Sequence, residues 1–407
     1  MQVYLVGGAV RDALLGLSVK ERDWVVVGAT REELLRAGFR AVGREFPVFL
    51  HPETNEEYAL ARLERKVAPG YRGFAVEFGP EVTLEEDLGR RDLTINAIAQ
   101  AADGTTIDPY HGQRDIQARV LRHVSDAFIE DPVRVLRVAR FAARFAPWGF
   151  RIAGETLALM RTMTERGEID ALIPERVWAE TEKALSQPAA GEFFKVLRAC
   201  GALKVIYPEI EALFGVPQTP KWHPEIDTGI HTLMALDAAV GLTTDTTVRF
   251  AALVHDLGKA GTPPQEWPSH KGHEERSVEL IKSLCNRLRV PSAYRELAIL
   301  VARYHGIVHR AFELRPGTIV EFMEKSDAFR RPARFADVLI GCEADGRGRT
   351  GFESAPYPQR QWLTDAFAAA AAVKPTPADL AGCQGPEIAA RVRRQRTAAV
   401  AKLRAAP

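Results

Sequence analysis

The residues best suited to chemistry near the start of this chain are a glycine pair and two carboxylates. Gly7 and Gly8 lie between an apolar segment ending at Val6 and a short predicted helix. Backbone N–H groups at such a turn approach a phosphate closely, and the helix N-terminus favours its negative charge. Glu21 and Asp23 flank one residue at the start of a second apolar strand, and alternate residues of a strand share a face. Two carboxylates on one face suit Mg²⁺ binding beside a triphosphate.

Each of these patterns is common when it occurs alone. A glycine pair is usually a simple turn, and an acid-x-acid pair is usually a solvated strand edge. Their agreement in order, spacing and placement is more specific, and it resembles the signature of the polymerase-beta-type nucleotidyltransferase superfamily. The resemblance implies transfer of a nucleotide from a triphosphate to a hydroxyl.

Composition limits the classes to which the chain can belong. Its 407 residues, 46% hydrophobic and 26% charged, are typical of a soluble protein with two to four domains. The net charge of +1 means that any nucleic-acid-binding surface is local. Four dispersed cysteines without a CxxC pair favour a reducing cytoplasm and no thiol metal site. With neither a long apolar run nor a leader before the first strand, we expect a cytoplasmic protein without a membrane partner.

The apolar pattern changes along the chain from strands to helices. Six segments of the first 115 residues predict strands: Val3–Val6, Trp24–Val27, Val48–Leu50, Tyr58–Ala61, Ala75–Glu77 and Thr106–Asp108. From about residue 126, apolar residues at three- and four-residue spacing predict helices. We therefore expect an α+β fold, with a nucleotidyltransferase palm of mixed sheet and helices before all-α regions. The predicted domains are a head at 1–125, a helical neck and body at 126–224, a histidine-rich domain at 225–330 and a helical tail at 331–407.

Arg90 and Arg91 stand in the charged segment EEDLGRRDLTINA at residues 85–97. Paired arginines neutralise a triphosphate with rigid, permanently charged side chains. The start of a solvated helix, with acids in its first turn, has the same composition. Taken alone, this segment favours the solvated helix.

A second arginine-rich segment, EDPVRVLRVARF at residues 130–141, predicts a helix capped by Asp131 with Pro132 at its first position. Four arginines fall within one third of the helical circumference: Arg134, Arg137, Arg140 and Arg144. Like charges at these spacings repel one another. Because no glutamate is interspersed among them, the pattern indicates an anionic partner rather than a solvated face.

The same segment offers a means of selecting nucleobases. Cytosine and adenine both present an exocyclic amino donor beside a ring-nitrogen acceptor, which an aspartate and an arginine complement. Uracil and guanine reverse this order and would leave buried groups unpaired. Asp131 and Arg134 are therefore predicted to select CTP and ATP together, without a nucleic-acid template.

Four motifs resemble those of the class II tRNA nucleotidyltransferases, and more narrowly the bacterial multifunctional CCA-adding group with its additional HD domain. The motifs are GGAVRD at 7–12, ERDWVVVG at 21–28, RRDLTINA at 90–97 and EDPVRVLRVARF at 130–141. The resemblance implies addition of C, C and A to the 3′ end of tRNA by two-metal nucleotidyl transfer.

The resemblance also gives each matching residue a role toward bound CTP or ATP. The nucleotide-binding residues that it implies are Gly8, Arg11, Arg91, Asp131, Arg134, Arg137 and Arg140. Within this set, Arg91, Arg137 and Arg140 would hold the triphosphate, whereas Asp131 and Arg134 would read the base.

The catalytic residues implied by the resemblance are Glu21 and Asp23, both as Mg²⁺ ligands. Glu21 stands where the family usually has aspartate, and it reaches one methylene further. A third acid often precedes an A-T-x-R strand in the family. The nearest match is Glu57 in EYALAR, which lacks the threonine and is a candidate for activating the attacking hydroxyl.

Seven of the ten histidines lie between residues 223 and 309, around VHDLGK at 254–259. Histidine and aspartate on separate helices can bind a metal ion that activates water against a phosphoester. The block resembles the HD phosphohydrolase domain. The metal ligands that this resemblance implies are His231, His255, Asp256 and Asp345. His273 and His305 are assigned to a second metal or to the phosphate.

For this domain the resemblance implies a divalent transition metal, with Ni²⁺ as the candidate. It also implies 2′,3′-cyclic phosphodiesterase, 2′-nucleotidase and phosphatase activity in the repair of tRNA ends. Two alternatives stay open: a poly(A) polymerase, which shares the head motifs, and an HD phosphohydrolase with an inactive nucleotide-binding head. We expect a monomer or a homodimer.

The last predicted helix is locally basic. Its cationic residues are Arg391, Arg393, Arg394, Arg396, Lys402 and Arg404. Contact with tRNA phosphates and a merely solvated terminal helix explain this pattern equally well.

Overall fold

The computed structural model describes residues 1–42, 48–66, 74–379, 381–382 and 384–405, so Cys383 lies outside the described residues. The chain divides into two compact units, Met1–Ile206 and Tyr207–Pro407. The first contains a sheet with helices and the second is helical, which confirms the expected α+β class. No helix in the described ranges is both long and apolar enough to cross a membrane.

The strands of the first unit are short. They are β1 Gln2–Val6, β2 Asp23–Val27, β3 Arg40–Val42, β4 Val48–Leu50, β5 Glu57–Leu60, β6 Arg62–Lys66, β7 Phe74–Phe78, β8 Ala99–Gln100, β9 Thr106–Ile107, β10 Val120–Leu121 and β11 Arg151–Ile152. All six predicted strands are present, with ends within two residues of prediction. The other strands were not predicted, because two or three residues show no alternation and the highly charged β6 does not read as a half-buried strand.

Seven strands form one mixed sheet in the order β3-β4-β5-β2-β1-β8-β9, while β6 pairs with β7 and β10 with β11. β2 is antiparallel to β1 and parallel to β5, with Asp23 opposite Val6 and Glu57 opposite Asp23. Gly7 follows Val6 directly. This register therefore brings the glycine turn, Asp23 and Glu57 to the same end of adjacent strands.

Successive valines of β2 bury the two faces of the sheet. Val25 packs with Val6 and Ala99, whereas Val26 packs with Leu34 and Phe49 on the other face. Because side chains alternate along a strand, Asp23 shares the face of Val25. The apolar residues of β2 thus fix the direction in which the carboxylate points.

The helices of the first unit are α1 Gly8–Leu14, α2 Arg31–Arg36, α3 Leu84–Gly89, α4 Gly112–Ala118, α5 Val133–Phe145, α6 Gly154–Glu165, α7 Pro174–Leu185, α8 Ala190–Ala199 and α9 Ala202–Ile206. The arginine-rich α5 packs against α7 and α8. It begins at Val133, so Pro132 precedes the helix instead of occupying its first position. Asp131 nevertheless acts as a cap, because its Oδ1 accepts the N–H of Val133 at 3.1 Å.

The helices of the second unit are α10 Pro208–Glu211, α11 Thr228–Leu242, α12 Thr246–Val254, α13 His273–Arg287, α14 Ser292–His309, α15 Pro316–Lys325, α16 Pro332–Arg347, α17 Pro358–Ala371 and α18 Pro386–Ala405. Helices α11, α12, α13, α14 and α16 pack together as the core of this unit. Buried apolar residues such as Val254, Ile281 and Val301 hold them in place. The histidine-rich segments therefore sit on rigid, packed helices.

A close backbone approach at Gly258 provides a test of this packing. A Cβ at Gly258 would lie 2.1 Å from the His273 carbonyl oxygen and 2.5 Å from Ser277 N. We expect Gly258→Ala to destabilise the second unit by about 1–3 kcal/mol, because backbone cannot move aside cheaply. Calorimetric thermal unfolding measures the effect. Gly241→Ala is the matched control, since its Cβ would meet nothing within 4 Å, and an equal loss in both variants would contradict the packing argument.

Candidate functional site

The first unit contains a cleft of about 700 Å³ at the end of the sheet where Asp23 lies. Among the described residues, nine arginines line it: Arg11, Arg62, Arg90, Arg91, Arg134, Arg137, Arg140, Arg144 and Arg176. The carboxylates along the same wall are Asp23, Glu57, Asp92, Asp131 and Glu180. The excess of positive charge suits a polyanion such as a triphosphate.

The glycine turn forms one side of the cleft. Gly7 has φ +68°, a conformation that L side chains rarely adopt, and a Cβ there would lie 2.9 Å from Arg91 Nη1. Arg11, one turn into α1, is 3% exposed and donates through Nε and Nη2 to Asp12 Oδ1 at 2.9 and 2.8 Å. Its Nη1 contacts Asn96 Oδ1. The turn thus keeps the backbone open and holds a buried guanidinium beside it.

The carboxylates at the strand ends differ in placement. Asp23 is the first residue of β2 and lines the cleft with Glu57, whereas Glu21 lies two residues before the strand, and all three are exposed. Glu21 is therefore not part of β2, and strand alternation alone does not place it on the face of Asp23. Burial raises the pKa of Asp23, which Arg91 lowers again and Glu21 raises further. The charge of Glu21 thus reaches Asp23, and a cation between them would relieve their repulsion.

Asp87 of α3 holds the arginine pair that follows this helix. It is fully buried, and its Oδ1 accepts from Arg90 Nη2 at 2.7 Å while its Oδ2 accepts from Arg91 Nη2 at 3.1 Å. Burial would raise the pKa of Asp87, but Arg90 and Arg91 hold it below its ordinary value. Both guanidiniums line the cleft. The solvated-helix interpretation of this segment is therefore wrong for its arginines and for Asp87, although Glu85 and Glu86 in the first turn of α3 are exposed.

Asp92 orients Arg137 in the same way. Its Oδ2 accepts from Arg137 Nε at 2.7 Å, and its Oδ1 accepts from Asn96 Nδ2 at 2.9 Å. Burial would raise the pKa of Asp92, but the charge of Arg137 and these hydrogen bonds hold it well below its ordinary value. Arg137 therefore faces the cleft with a fixed guanidinium.

The remaining arginines of α5 also have partners. Arg140 Nε donates to Glu180 Oε2 at 2.6 Å, and Arg144 Nη2 donates to Asp12 Oδ2 at 2.8 Å. The expectation of uncompensated repulsion along this helix is therefore wrong, because other segments supply the counter-charges. All four arginines of the helix nonetheless line the cleft.

The two residues predicted to read the base lie near each other at the start of α5. Asp131 receives a bidentate pair from Arg176, at 3.1 Å to Oδ1 and 2.8 Å to Oδ2. Arg134 is 6% exposed and donates to the carbonyl oxygens of Ala127 and Arg90, both at 2.7 Å. Both side chains are thus held in fixed positions at the cleft wall.

Sequence reasoning missed several residues that build this cleft. They are Arg62, Asp92, Asn96, Arg144 as an ion-pair donor, Arg176 and Glu180. The ion pairs of Arg137, Arg140, Arg144 and Arg176 join residues 40 to 132 positions apart. No local pattern in the sequence contains them. Asp92 and Asn96 stand inside a motif already singled out, and their four-residue spacing was the one available signal.

The second unit contains a cluster of histidines and carboxylates. Three groups of potential metal ligands lie within the described residues. They are His231, His255 and Asp345; Asp256, His273 and His305; and, sharing His231 with the first, His223, Glu225 and His231. His231 Nε2 lies 3.1 Å from Asp345 Oδ1, and His255 Nε2 lies 3.1 Å from Asp256 Oδ2. The first two groups come from α11, from the end of α12, and from α13, α14 and α16.

Backbone carbonyls orient the imidazole rings. The Nδ1 atoms of His231, His255 and His273 lie 2.8–2.9 Å from the carbonyl oxygens of other residues, and His305 Nδ1 lies 2.9 Å from Ala302 O. If each Nδ1 carries the proton, each Nε2 presents a lone pair to the cluster. His273 Nε2 and His305 Nε2 indeed face each other at 3.1 Å.

The donor set fits a divalent transition metal. His255 Nε2 and Asp256 Oδ1 are buried without an aligned hydrogen bond, although Asp256 Oδ2 and His273 Nε2 lie 3.1 and 3.3 Å from them. Such a convergence of ligand atoms is expected where a cation binds. Without a cation, Asp256 and Asp345 overcome burial and raise the pKa of His255 to about 10. Burial lowers the pKa of His305 to about 3. A metal ion bound by His255 Nε2 would have to compete with a proton at this atom.

Other side chains around the cluster contact its ligands. Lys259 Nζ is 2.6 Å from Asp256 Oδ2, and Glu225 Oε1 is 3.1 Å from His231 Nδ1. His223 Nδ1 also contacts Glu225, at 3.0 Å. The sequence offered HDLGK as a signal for Lys259 but none for Glu225.

The basic tail helix is partly engaged within its own unit. Arg393 Nε donates to Glu324 Oε2 at 2.6 Å, and the Arg396 guanidinium lies 3.6 Å from the centre of the Phe329 ring. Arg391, Arg394 and Lys402 are exposed, whereas the Arg404 side chain lies outside the described residues. The predicted tRNA contact of this helix stays a prediction.

Three protein-family models match successive segments of the chain. Residues 3–122 match the Poly A polymerase head domain, residues 149–214 match a probable RNA and SrmB-binding site of polymerase A, and residues 228–339 match the HD domain. Head and HD domains of these kinds use divalent metals.

Curated relatives extend over the whole chain. A multifunctional CCA protein of Thioalkalivibrio sulfidiphilus is 62% identical over 405 residues, which is 100% of this chain and 99% of the relative. This chain belongs to the multifunctional CCA protein family. A second member of the multifunctional CCA protein family, from Methylococcus capsulatus, is 60% identical over 407 residues, covering 100% and 96% of the two chains. The family expected from the motifs is thereby confirmed.

Solved structures support the fold of this multifunctional CCA protein family member. The Bacillus stearothermophilus CCA-adding enzyme in complex with CTP has TM-score 0.66 and 22% identity, covering 98% of this chain and 89% of that one. The Thermotoga maritima CCA-adding enzyme complexed with tRNA has TM-score 0.63 and 18% identity, covering 100% and 88%. At these identities the likeness concerns the fold.

The buried pair of Asp92 and Arg137 yields a pH-dependent prediction. Asp92→Asn should lower the unfolding free energy of the first unit by about 2 kcal/mol at pH 7, since it leaves Arg137 unpaired. Because the folded-state pKa of Asp92 is lowered, its stabilisation is present above the ordinary value of about 4 and is lost as pH falls below it. Urea unfolding at a series of pH values should show the gap between variant and wild type narrowing toward acid. Asp170→Asn makes the same change at an exposed site, and an equal loss there would refute the assignment.

Proposed function

We propose that this chain adds and repairs the 3′-terminal CCA of tRNA, using CTP and ATP without a nucleic-acid template. The observation that carries the proposal is the near-full-length identity of about 60% to multifunctional CCA proteins. The arginine-lined cleft beside Asp23 supports it, because the cleft matches the charge of a triphosphate. We place the enzyme in the cytoplasm with its tRNA substrate.

Glu21 and Asp23 would bind Mg²⁺, with Glu57 beside them on β5. The bound Mg²⁺ supplies charge neutralisation for the triphosphate and the leaving pyrophosphate. The 3′-hydroxyl of tRNA would attack the α-phosphate, pyrophosphate would leave, and Glu57 would accept the hydroxyl proton. Arg91 and Arg137 hold the phosphates, and Arg140 joins them from the next turn of α5.

Asp131 and Arg134 would read the Watson–Crick edge of the incoming base. The bidentate contact with Arg176 orients Asp131, so the carboxylate would act as an acceptor for the exocyclic amino group of cytosine or adenine. The buried Arg134 donates to the ring nitrogen. A uracil or guanine would place donor against donor at Arg134, which explains selection without a template.

For the second unit we propose 2′,3′-cyclic phosphodiesterase, 2′-nucleotidase and phosphatase activity on damaged tRNA ends. His231, His255, Asp256 and Asp345 would hold a divalent transition metal such as Ni²⁺, and His273 and His305 would hold a second ion or the phosphate. The bound metal supplies activated water. The atoms His255 Nε2 and Asp256 Oδ1, which lack an aligned hydrogen bond, support a cation at this place.

The transferase claim is tested with purified protein, Mg²⁺ and a tRNA lacking CCA. CTP alone should give two additions, and a third should require ATP. Asp23→Asn should reduce addition more than about a hundredfold, because a metal ligand is lost, whereas Glu21→Asp should retain it. A long ladder with ATP alone would instead establish a poly(A) polymerase.

Hydrolysis of 2′,3′-cyclic AMP tests the second unit. Asp256→Asn should abolish it, a chelator should remove it, and Ni²⁺ should restore it, because water activation depends on the metal. Each unit supplies the control for the other, since Asp256→Asn should keep CCA addition and Asp23→Asn should keep hydrolysis. The phosphohydrolase alternative would be favoured by two results together. The wild type would show no CCA addition, and Asp23→Asn would keep both hydrolysis and physiological function.

A further inference from the structure

The two carboxylate oxygens of Asp345 have different surroundings. Oδ1 faces the cluster, 3.1 Å from His231 Nε2 and 3.6 Å from His255 Nε2, and Arg349 Nη2 also lies 3.3 Å from it. Oδ2 points away from the cluster and lies 2.5 Å from His309 Nε2. His309 ends α14 and belongs to none of the three groups of potential metal ligands among the described residues.

A tyrosine fixes the other side of the His309 ring. The Tyr357 hydroxyl lies 2.7 Å from His309 Nδ1. Burial raises the pKa of Tyr357, so its hydroxyl stays protonated and can donate. With Nδ1 accepting from Tyr357, Nε2 carries the imidazole proton and donates to Asp345 Oδ2.

The helix that carries Asp345 makes room for this tyrosine. A Cβ at Gly346 would lie 2.7 Å from Tyr357 Cε2, so the ring packs directly against the helix beside Asp345. Gln359 Nε2 also donates to the His309 carbonyl at 3.3 Å. The Tyr357 ring is therefore held by packing and does not depend on its hydroxyl for its position.

We propose that Tyr357 and His309 are positioning residues that hold Asp345 with Oδ1 directed at the metal. The inference rests on the proposed metal-dependent function of the second unit. The tyrosine selects the imidazole tautomer, and the imidazole then restrains the carboxylate rotation. Neither residue touches the metal, so both act through Asp345.

The test measures Ni²⁺ affinity of the full chain by competition with a chromophoric chelator. Tyr357→Phe and His309→Gln should each weaken Ni²⁺ binding by about ten- to hundredfold, the range for loss of partners behind metal ligands. Because both act along one chain of hydrogen bonds, the double variant should bind no more weakly than His309→Gln alone. CCA addition should be unchanged in every variant.

Tyr294→Phe is the matched control. Its hydroxyl also makes one short contact inside the second unit, 2.6 Å to Thr246 Oγ1, but it does not reach the cluster. Wild-type affinity in Tyr357→Phe, or equal losses in Tyr357→Phe and Tyr294→Phe, would overturn the proposal. A loss with His309→Gln alone would also overturn it, by making His309 a direct ligand. If the wild type binds no Ni²⁺, the proposed function of this unit fails together with the inference.

Discussion

Removing charged groups from water is costly unless each is matched, and both functional regions of this protein depend on that constraint. In each region a charged or polar side chain uses some atoms to bind a fixed partner and presents the others to a ligand. Asp87 holds Arg90 and Arg91 in this way, and backbone carbonyls hold the histidine rings. The fold positions these partners, and the side-chain atoms that they do not bind determine which ligands each region can hold.

The constraint explains why the supporting residues are as important as those that face the ligand. Arg137 can face the cleft with a fixed guanidinium only because Asp92 is buried beside it and is itself hydrogen-bonded by Asn96. His231 likewise presents Nε2 because Gly348 and Glu225 occupy its Nδ1 side. Such partners restrict rotation of the side chains before any ligand arrives, so less conformational entropy is lost on binding.

Features formed by residues close in sequence were predictable, whereas contacts between distant residues were not. The glycine turn, Asp23 and the helix with its arginines are local patterns, and the structure contains each of them nearly where it was expected. The counter-charges were not predictable, because Asp12 meets Arg144 across 132 positions and no periodicity encodes that contact. For Glu21 the sequence pattern was applied too widely, because strand alternation was assumed for a residue that precedes β2. Local periodicity therefore identifies elements, while the pairing of charges requires the tertiary structure.

The two regions differ in what a ligand must displace. In the cleft, each arginine of α5 already donates to a carboxylate or to carbonyl oxygens, so a triphosphate would bind to the donor atoms that these partners leave. Such a ligand would meet side chains that are already held in position. In the histidine cluster, ring nitrogens and carboxylate oxygens converge without an aligned hydrogen bond at His255 Nε2 and Asp256 Oδ1. A metal ion there would compete with protons and relieve repulsion among the carboxylates, so the same principle of matched charge would serve a substrate site in one unit and a metal site in the other.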